Sequence, residues 1–192
     1  MKANAVHVRL NRLLLASFVA VAAALTVLQV ATAGPPTPGV DPSIAVGPGN
    51  KVFLVGHGVG VQIYRCNGAG TWSFVAPRAN LYGDNGQLII HHFGGPSWQA
   101  NDGSTVVGKL DAPPLIKDLS AVPWLRLSIA SRTAGPDGGD RLLDTSFIQR
   151  INTVGGVAPP ASDCNASTAG KVVEVPYTAD YIFYKATGAP TA

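Results

Sequence analysis

The chain is expected to be all-β, a single-domain antiparallel sandwich or barrel with many hairpins, and three observations carry that expectation. Short runs rich in Val, Ile, Tyr and Phe recur between clusters of Gly, Asn, Asp and Pro, which is how half-buried strands joined by turns read. The linkers carry turn chemistry at Asn67-Gly68, Asn85-Gly86, Asp102-Gly103 and Pro136-Asp137-Gly138, where Gly or Asn takes a positive φ at little steric cost. No segment after residue 33 keeps apolar residues at i, i+3, i+4 and i+7 through three turns, so at most one or two short helices are expected, with 115–122 the candidate.

Taken in order, strands are expected at 51–55, 59–66, 71–75, 87–93, 104–109, 125–131, 146–153, 171–175 and 181–185. Each is a run of β-branched, aromatic or alternating residues bounded by turn formers, as a pleated ribbon with one buried face requires. Gly56-His57-Gly58 separates the first two and reads as an exposed loop. Gly94-Gly95-Pro96 turns the chain after the fourth and places Trp98 on a loop. No internal repeat is present.

The N-terminus has a different composition. Lys2, Arg9 and Arg12 precede an apolar run over 13–30, and Ala31-Thr32-Ala33 offers a small-residue cleavage site before Gly34. A basic start, a hydrophobic stretch and an A-x-A-like end are the three parts of a secretory signal peptide. The rival is an uncleaved anchor, but the run contains Ser17, Thr26 and Gln29 and is barely long enough to cross a bilayer. Arg9 and Arg12 are not adjacent, which argues for the general secretion route over a twin-arginine one. The expected organisation is a signal peptide with an N-terminal signal helix at 1–33, a flexible Pro/Gly-rich linker at 34–44, one β domain at 45–186 and a flexible tail at 187–192. The product would be extracellular or in the cell envelope, with no stable membrane span after cleavage.

Lys2, Arg9 and Arg12 account for the whole formal charge of +3 set by 14 basic and 11 acidic residues, so the chain beyond Ala33 is neutral. No two basic residues adjoin after Arg12. A nucleic-acid partner is therefore not expected.

Cys66 closes a strand and Cys164 lies in the polar loop Ser162-Asp163-Cys164-Asn165. In an oxidising compartment an isolated pair predicts a disulfide. A redox-active pair would want a C-x-x-C spacing that is missing. A metal site is not expected, because the two cysteines and scattered histidines show no ligand spacing. No cofactor motif is present either: Gly56-His57-Gly58-Val59-Gly60 lacks the final glycine and the helix of a dinucleotide fingerprint.

Candidate site residues concentrate in His91-His92-Phe93-Gly94-Gly95-Pro96-Ser97-Trp98 and Asp102-Gly103-Ser104. On one strand His91 and His92 face opposite sides, so at most one serves a given site. An aromatic ring on a Gly/Pro loop suits the face of a sugar or another apolar ligand, while the plainer reading has Trp98 cap the core and Asp102-Gly103 only make a turn. The reading that follows is a ligand-binding face of His92, Trp98, Asp102 and Trp124 for a neutral glycan or small molecule. The alternatives are a hydrolase in which His92, Asp102 and Ser104 supply base, acid and nucleophile, and a purely structural surface protein. Against the hydrolase, no G-x-S-x-G elbow occurs and Asp-Gly-Ser is a common hairpin sequence. Arg150, in mid-strand, is expected to pair with an acid such as Asp180, with ligand binding the alternative. Tyr177, Tyr181 and Tyr184 are expected to pack a core or sheet.

In order along the chain stand Gly60-Val61-Gln62-Ile63-Tyr64-Arg65-Cys66, Trp72 with Ala76-Pro77, His92-Phe93-Gly94-Gly95-Pro96-Ser97-Trp98 and Asp102-Gly103-Ser104, Pro123-Trp124-Leu125, Ile148-Gln149-Arg150 with Thr153-Val154-Gly155-Gly156, and Val175-Pro176-Tyr177-Thr178-Ala179-Asp180-Tyr181. In this the chain resembles a family of secreted bacterial and fungal proteins classed as domain of unknown function 3455. The resemblance implies export, one domain and a two-cysteine framework, and supplies no reaction. Some fungal relatives carry dehydrogenase-like names, which this chain's missing fingerprint does not support.

Overall fold

Side chains alternate across each long strand between a shared interior and the outside, and the row of strands closes on itself. The computed structural model describes residues 37–188. The signal helix and cleavage site expected at 1–33, the start of the linker and the end of the tail lie outside the described residues. Eight strands follow one another: β1 (Asn50–Cys66), β2 (Trp72–Tyr82), β3 (Leu88–Phe93), β4 (Ser97–Ala100), β5 (Thr105–Leu110), β6 (Leu125–Thr133), β7 (Thr145–Gly155) and β8 (Val172–Ala186). Each pairs antiparallel with the next and β8 returns to β1, giving a closed barrel without a free edge. The only helices among the described residues are four three-residue 3-10 turns, and 115–122 forms none of them. That segment is instead tied down by bridges from Leu115 to Trp124 and from Ala121 to Gly156.

Two of the expected loops are strand. β1 runs straight through Gly56-His57-Gly58, and β8 joins the expected 171–175 and 181–185 into one ribbon. The physical reason is close approach. Gly56, Gly58, Gln62 and Tyr64 lie on the inner face of β1, and a Cβ on Gly58 would come within 2.8 Å of the Tyr181 ring. Glycine there makes room for a bulky neighbour across the sheet rather than a bend. The third correction is β4: Ser97–Ala100 is strand, so Trp98 lies in the sheet and not on a loop.

In such a meander successive connections fall at alternate ends. The β1–β2, β3–β4, β5–β6 and β7–β8 connections form one end, here called the mouth; the other three form the plug end. Cys66, at the mouth end of β1, is bonded to Cys164 in the β7–β8 connection, as expected, with Cα atoms 5.3 Å apart. At the plug end the β6–β7 connection folds back and drives Leu142, fully buried, into the core formed by Leu81, Ile90, Val106, Ile148 and Phe183.

A second apolar cluster lies outside the barrel wall. Outward Val52, Ile151, Ile182 and Tyr184 are covered by Ile44, with Val40, Val46, Leu115, Trp124 and Phe147 around them. The carbonyl of Ile44 accepts from Gln149 Nε2 at 2.6 Å, and Gln149 Oε1 accepts from the Tyr184 hydroxyl at 2.6 Å. Val40 and Ile44 are thus packed strap residues, although 34–44 reads as a flexible linker by composition.

Candidate functional site

The mouth half of the barrel is hollow. A cavity of about 410 Å³ opens between the inner faces of the strands and two of the mouth connections, β3–β4 and β5–β6. Its walls are mostly apolar, with Phe74, Val75 and Pro77 from β2, Pro96 from the β3–β4 turn, Val122 and Pro123 from the β5–β6 connection, and Leu125 and Leu127 from β6. Phe74, Val75 and Leu110 are each about half exposed and form a greasy rim. Against these walls stand Gln62, Tyr64, His92, Trp98, Lys109, Arg150 and Tyr181.

Alternation puts His92 inward and His91 outward, as expected: His92 is 3 % exposed, and His91 meets Asn80 on the surface. The imidazole of His92 stacks on the Trp98 indole with centroids 4.5 Å apart and planes 8° off parallel, and Tyr181 closes in at 5.1 Å. Its Nδ1 lies 2.8 Å from the Ser97 carbonyl. A carbonyl only accepts, so Nδ1 carries the proton and Nε2 keeps a free lone pair. Burial, reinforced by the charge of Arg150, pushes the His92 pKa down to about 4. The ring is neutral at physiological pH.

Arg150 does not meet Asp180. Its Nε and Nη2 both donate to the Pro123 carbonyl, at 3.1 and 2.8 Å, which anchors the β5–β6 connection over the mouth. Asp180 is taken by His57 on the outer wall, 2.7 Å from Nδ1, and by Asn152. His57, expected to be a partnerless loop residue, also meets Asp84 at 2.9 Å. Inside, the positive charge of Arg150 bears on Tyr64, His92, Tyr177 and Tyr181. The hydroxyls of Tyr177 and Tyr181 lie 2.9 Å apart, and burial raises the pKa of both, so both stay protonated.

Two interior nitrogens are left over. Gln62 Nε2 and Trp98 Nε1 are fully buried without a hydrogen-bond partner among the described residues. Both side chains line the cavity. An unsatisfied buried donor costs about 1–3 kcal/mol, so such groups call for an explanation.

The expected site residues divide between the two ends. His92 and Trp98 line the cavity, with Trp98 1 % exposed and its ring occupied by His92 rather than offered to solvent. Trp124 packs in the outer cluster beside Lys117, while its neighbours Pro123 and Leu125 line the cavity. Asp102 and Ser104 belong to the plug end. Ser104 donates its hydroxyl proton to Asp102 at 2.6 Å, and the same hydroxyl oxygen accepts from the Leu142 N–H, while Asp102 Oδ2 accepts from the Arg141 N–H. These bonds, the Ser104 hydroxyl first, hold the Asp102 carboxyl down at a pKa of about 2 and dock the plug. His92 contacts neither residue, so the three do not form a triad. Gln62, Arg150 and Tyr181, which sequence reasoning did not assign to a site, are the polar groups that complete the cavity. Their signal was the two-residue alternation itself: Gln62 continues the inward series of Gly56 and Gly58, and Tyr181 that of Tyr177 and Ala179.

The model of a family described as "Protein of unknown function (DUF3455)" matches residues 47–185. The chain belongs to this family. No curated protein and no solved structure matches it. In this DUF3455 chain the matched segment starts just before β1 and ends within β8, and it includes every residue that lines the cavity.

Proposed function

We propose that this barrel is a binding protein for a small, mostly apolar molecule, taken up through the mouth and held with its polar end among Arg150, Gln62 and His92. One observation carries the reading: a cavity of about 410 Å³ in which the only unpartnered buried side-chain donors of the described fold, Gln62 Nε2 and Trp98 Nε1, are both wall residues. A volume in the range of ordinary ligand sites, apolar walls and a few convergent polar groups are what small-molecule sites share. The neutral-ligand face expected of Trp98 and His92 moves in this reading from a loop to the interior. A glycan is the poorer occupant, because its hydroxyls would meet mainly side-chain carbon. Export completes the proposal, supported by the leader-like N-terminus and by the disulfide.

The test is uptake of a neutral apolar fluorophore such as N-phenylnaphthylamine. Saturable one-site enhancement in the wild type, lost in Leu125→Trp, which fills the space behind the mouth, is the expected result. Enhancement that does not saturate, or that survives in a folded Leu125→Trp variant, overturns the reading. Mass spectrometry of the exported protein tests the compartment: the expected first residue is Gly34.

A further inference from the structure

We propose that the occupant of the cavity is a monoanion, a small carboxylic acid with an apolar body, whose carboxylate is held by the Arg150 guanidinium with Gln62 and Trp98. The inference rests on the cavity reading above and specifies its ligand. Its basis is an account of charge and of hydrogen-bonding roles.

Among the described residues that line the cavity the charged ones are Arg150 and Lys109, and none is an aspartate or glutamate. Outside the cavity Glu174 is paired with Arg78, Asp111 with Arg126, and Asp180 and Asp84 with His57, while Asp118 and Asp163 of the mouth connections are not among the lining residues. Arg150 is partly buried and has no ion-pair partner among the described residues. A guanidinium taken partly out of water without a counter-charge is costly, and proteins pair it when they can. Two of its five N–H groups go to Pro123 and the guanidinium also reaches the Tyr181 hydroxyl, which leaves part of its donor capacity to serve a ligand.

Apart from His92 Nε2, whose lone pair accepts, the other unsatisfied interior groups share that polarity. Trp98 Nε1 and Gln62 Nε2, the latter beside the Tyr177 hydroxyl, are buried donors on wall side chains without a well-formed bond of their own, so two residues besides Arg150 carry N–H groups suited to an acceptor. An ionised carboxylate is a pure acceptor with about four lone-pair sites, and it matches a guanidinium in plane and in charge. An alcohol could give its proton to His92 Nε2, but it leaves the cation uncompensated. A dianion such as a phosphate monoester brings more charge than one interior guanidinium balances between apolar walls. Lys109, exposed at the rim beside Leu110, is placed to draw an anion towards the mouth.

Displacement of the neutral fluorophore is the experiment, with two pairs of competitors that differ only in the head: decanoate against decanol, and naphthoate against naphthylmethanol. The wild type is expected to bind at least one acid roughly 10- to 100-fold more tightly than its alcohol, the range of a charge-assisted hydrogen bond; which pair shows it separates an acyl chain from an aromatic acid. Arg150→Gln is expected to bring acid and alcohol within about threefold of each other, and Arg150→Lys to retain part of the preference. Alcohols that match or beat their acids, or acids that fail to displace the bound fluorophore, overturn the anion inference while the cavity stands. No fluorophore binding at all removes the cavity reading and this one with it. If Arg150→Gln does not fold, the wild-type comparison alone decides.

Discussion

The two ends of this barrel are made from the same eight strands and have opposite interiors. Towards the plug, inward positions carry Leu81, Ile90, Val106, Ile148 and Phe183, and Leu142 fills what they leave. Towards the mouth, the same alternation carries Gln62, Tyr64, His92, Arg150 and Tyr181, and about 410 Å³ stays open. Apolar side chains close on one another because removing their surface from water is favourable and a void forfeits contacts. A ring of phenols, an amide and a guanidinium cannot collapse in that way without orphaning its polar atoms. The hollow is therefore a property of which residues occupy the inward positions, since the strands themselves continue through both halves.

That contrast is most directly broken by truncation. Phe183→Ala at the plug end is expected to cost about 3–5 kcal/mol, the range for a fully buried aromatic. Leu125→Ala, half-buried at the mouth, is expected to cost about 1 kcal/mol or less. Urea unfolding gives both values, and equal losses would mean that the two halves are packed alike. Replacing Cys66 and Cys164 together by Ser should cost about 2–4 kcal/mol, because the bond ties residues 98 apart. Its local effect should fall on the mouth, read as faster amide exchange in the β7–β8 connection than in β3 or β4.

Acid sharpens the comparison through two histidines of opposite sign. The His92 pKa is depressed from 6.5 to about 4 by burial. Between those values the unfolded chain binds the proton that the folded one refuses, so stability falls as pH drops through this window, by up to about 3 kcal/mol. His92→Gln should flatten that slope in urea titrations between neutral pH and the lower end of the window. His57, on the outer wall, is raised by Asp84 first and Asp180 second. Its contribution is fully present below 6.5 and fades as pH rises through the elevated value. With the ring half exposed the effect is small, and His57→Gln should be more destabilising in mild acid than in mild alkali.

Much of the architecture was legible because strand alternation and turn chemistry are local. Asn67-Gly68, Asn85-Gly86 and Asp102-Gly103 all fall at hairpin connections, and His91 and His92 divide between outside and inside as a two-residue period demands. The failures came where a local signal was overruled by a neighbour distant in sequence. Gly56 and Gly58 look like a loop until Leu81 is laid against the one and the Tyr181 ring against the other, and Gly94-Gly95-Pro96 hides a strand as short as Ser97–Ala100. The site was harder for the same reason. Arg150, Gln62 and Tyr181 come from β7, β1 and β8 and gather only when the barrel closes, whereas Asp102 and Ser104 sit close in sequence and use that closeness to dock Leu142. Trp98, which composition offers as a loop platform, is buried with its ring spent on His92.

The pairing of β1 with β8, from Asn50 with Ala186 to Arg65 with Val172, has a consequence for how the molecule is made. A polypeptide whose first ribbon is completed by its last must hold a long row of unsatisfied amides open until synthesis is nearly finished. Ribosome-bound lengths that stop short of β8 should therefore remain protease-sensitive and prone to stick to one another.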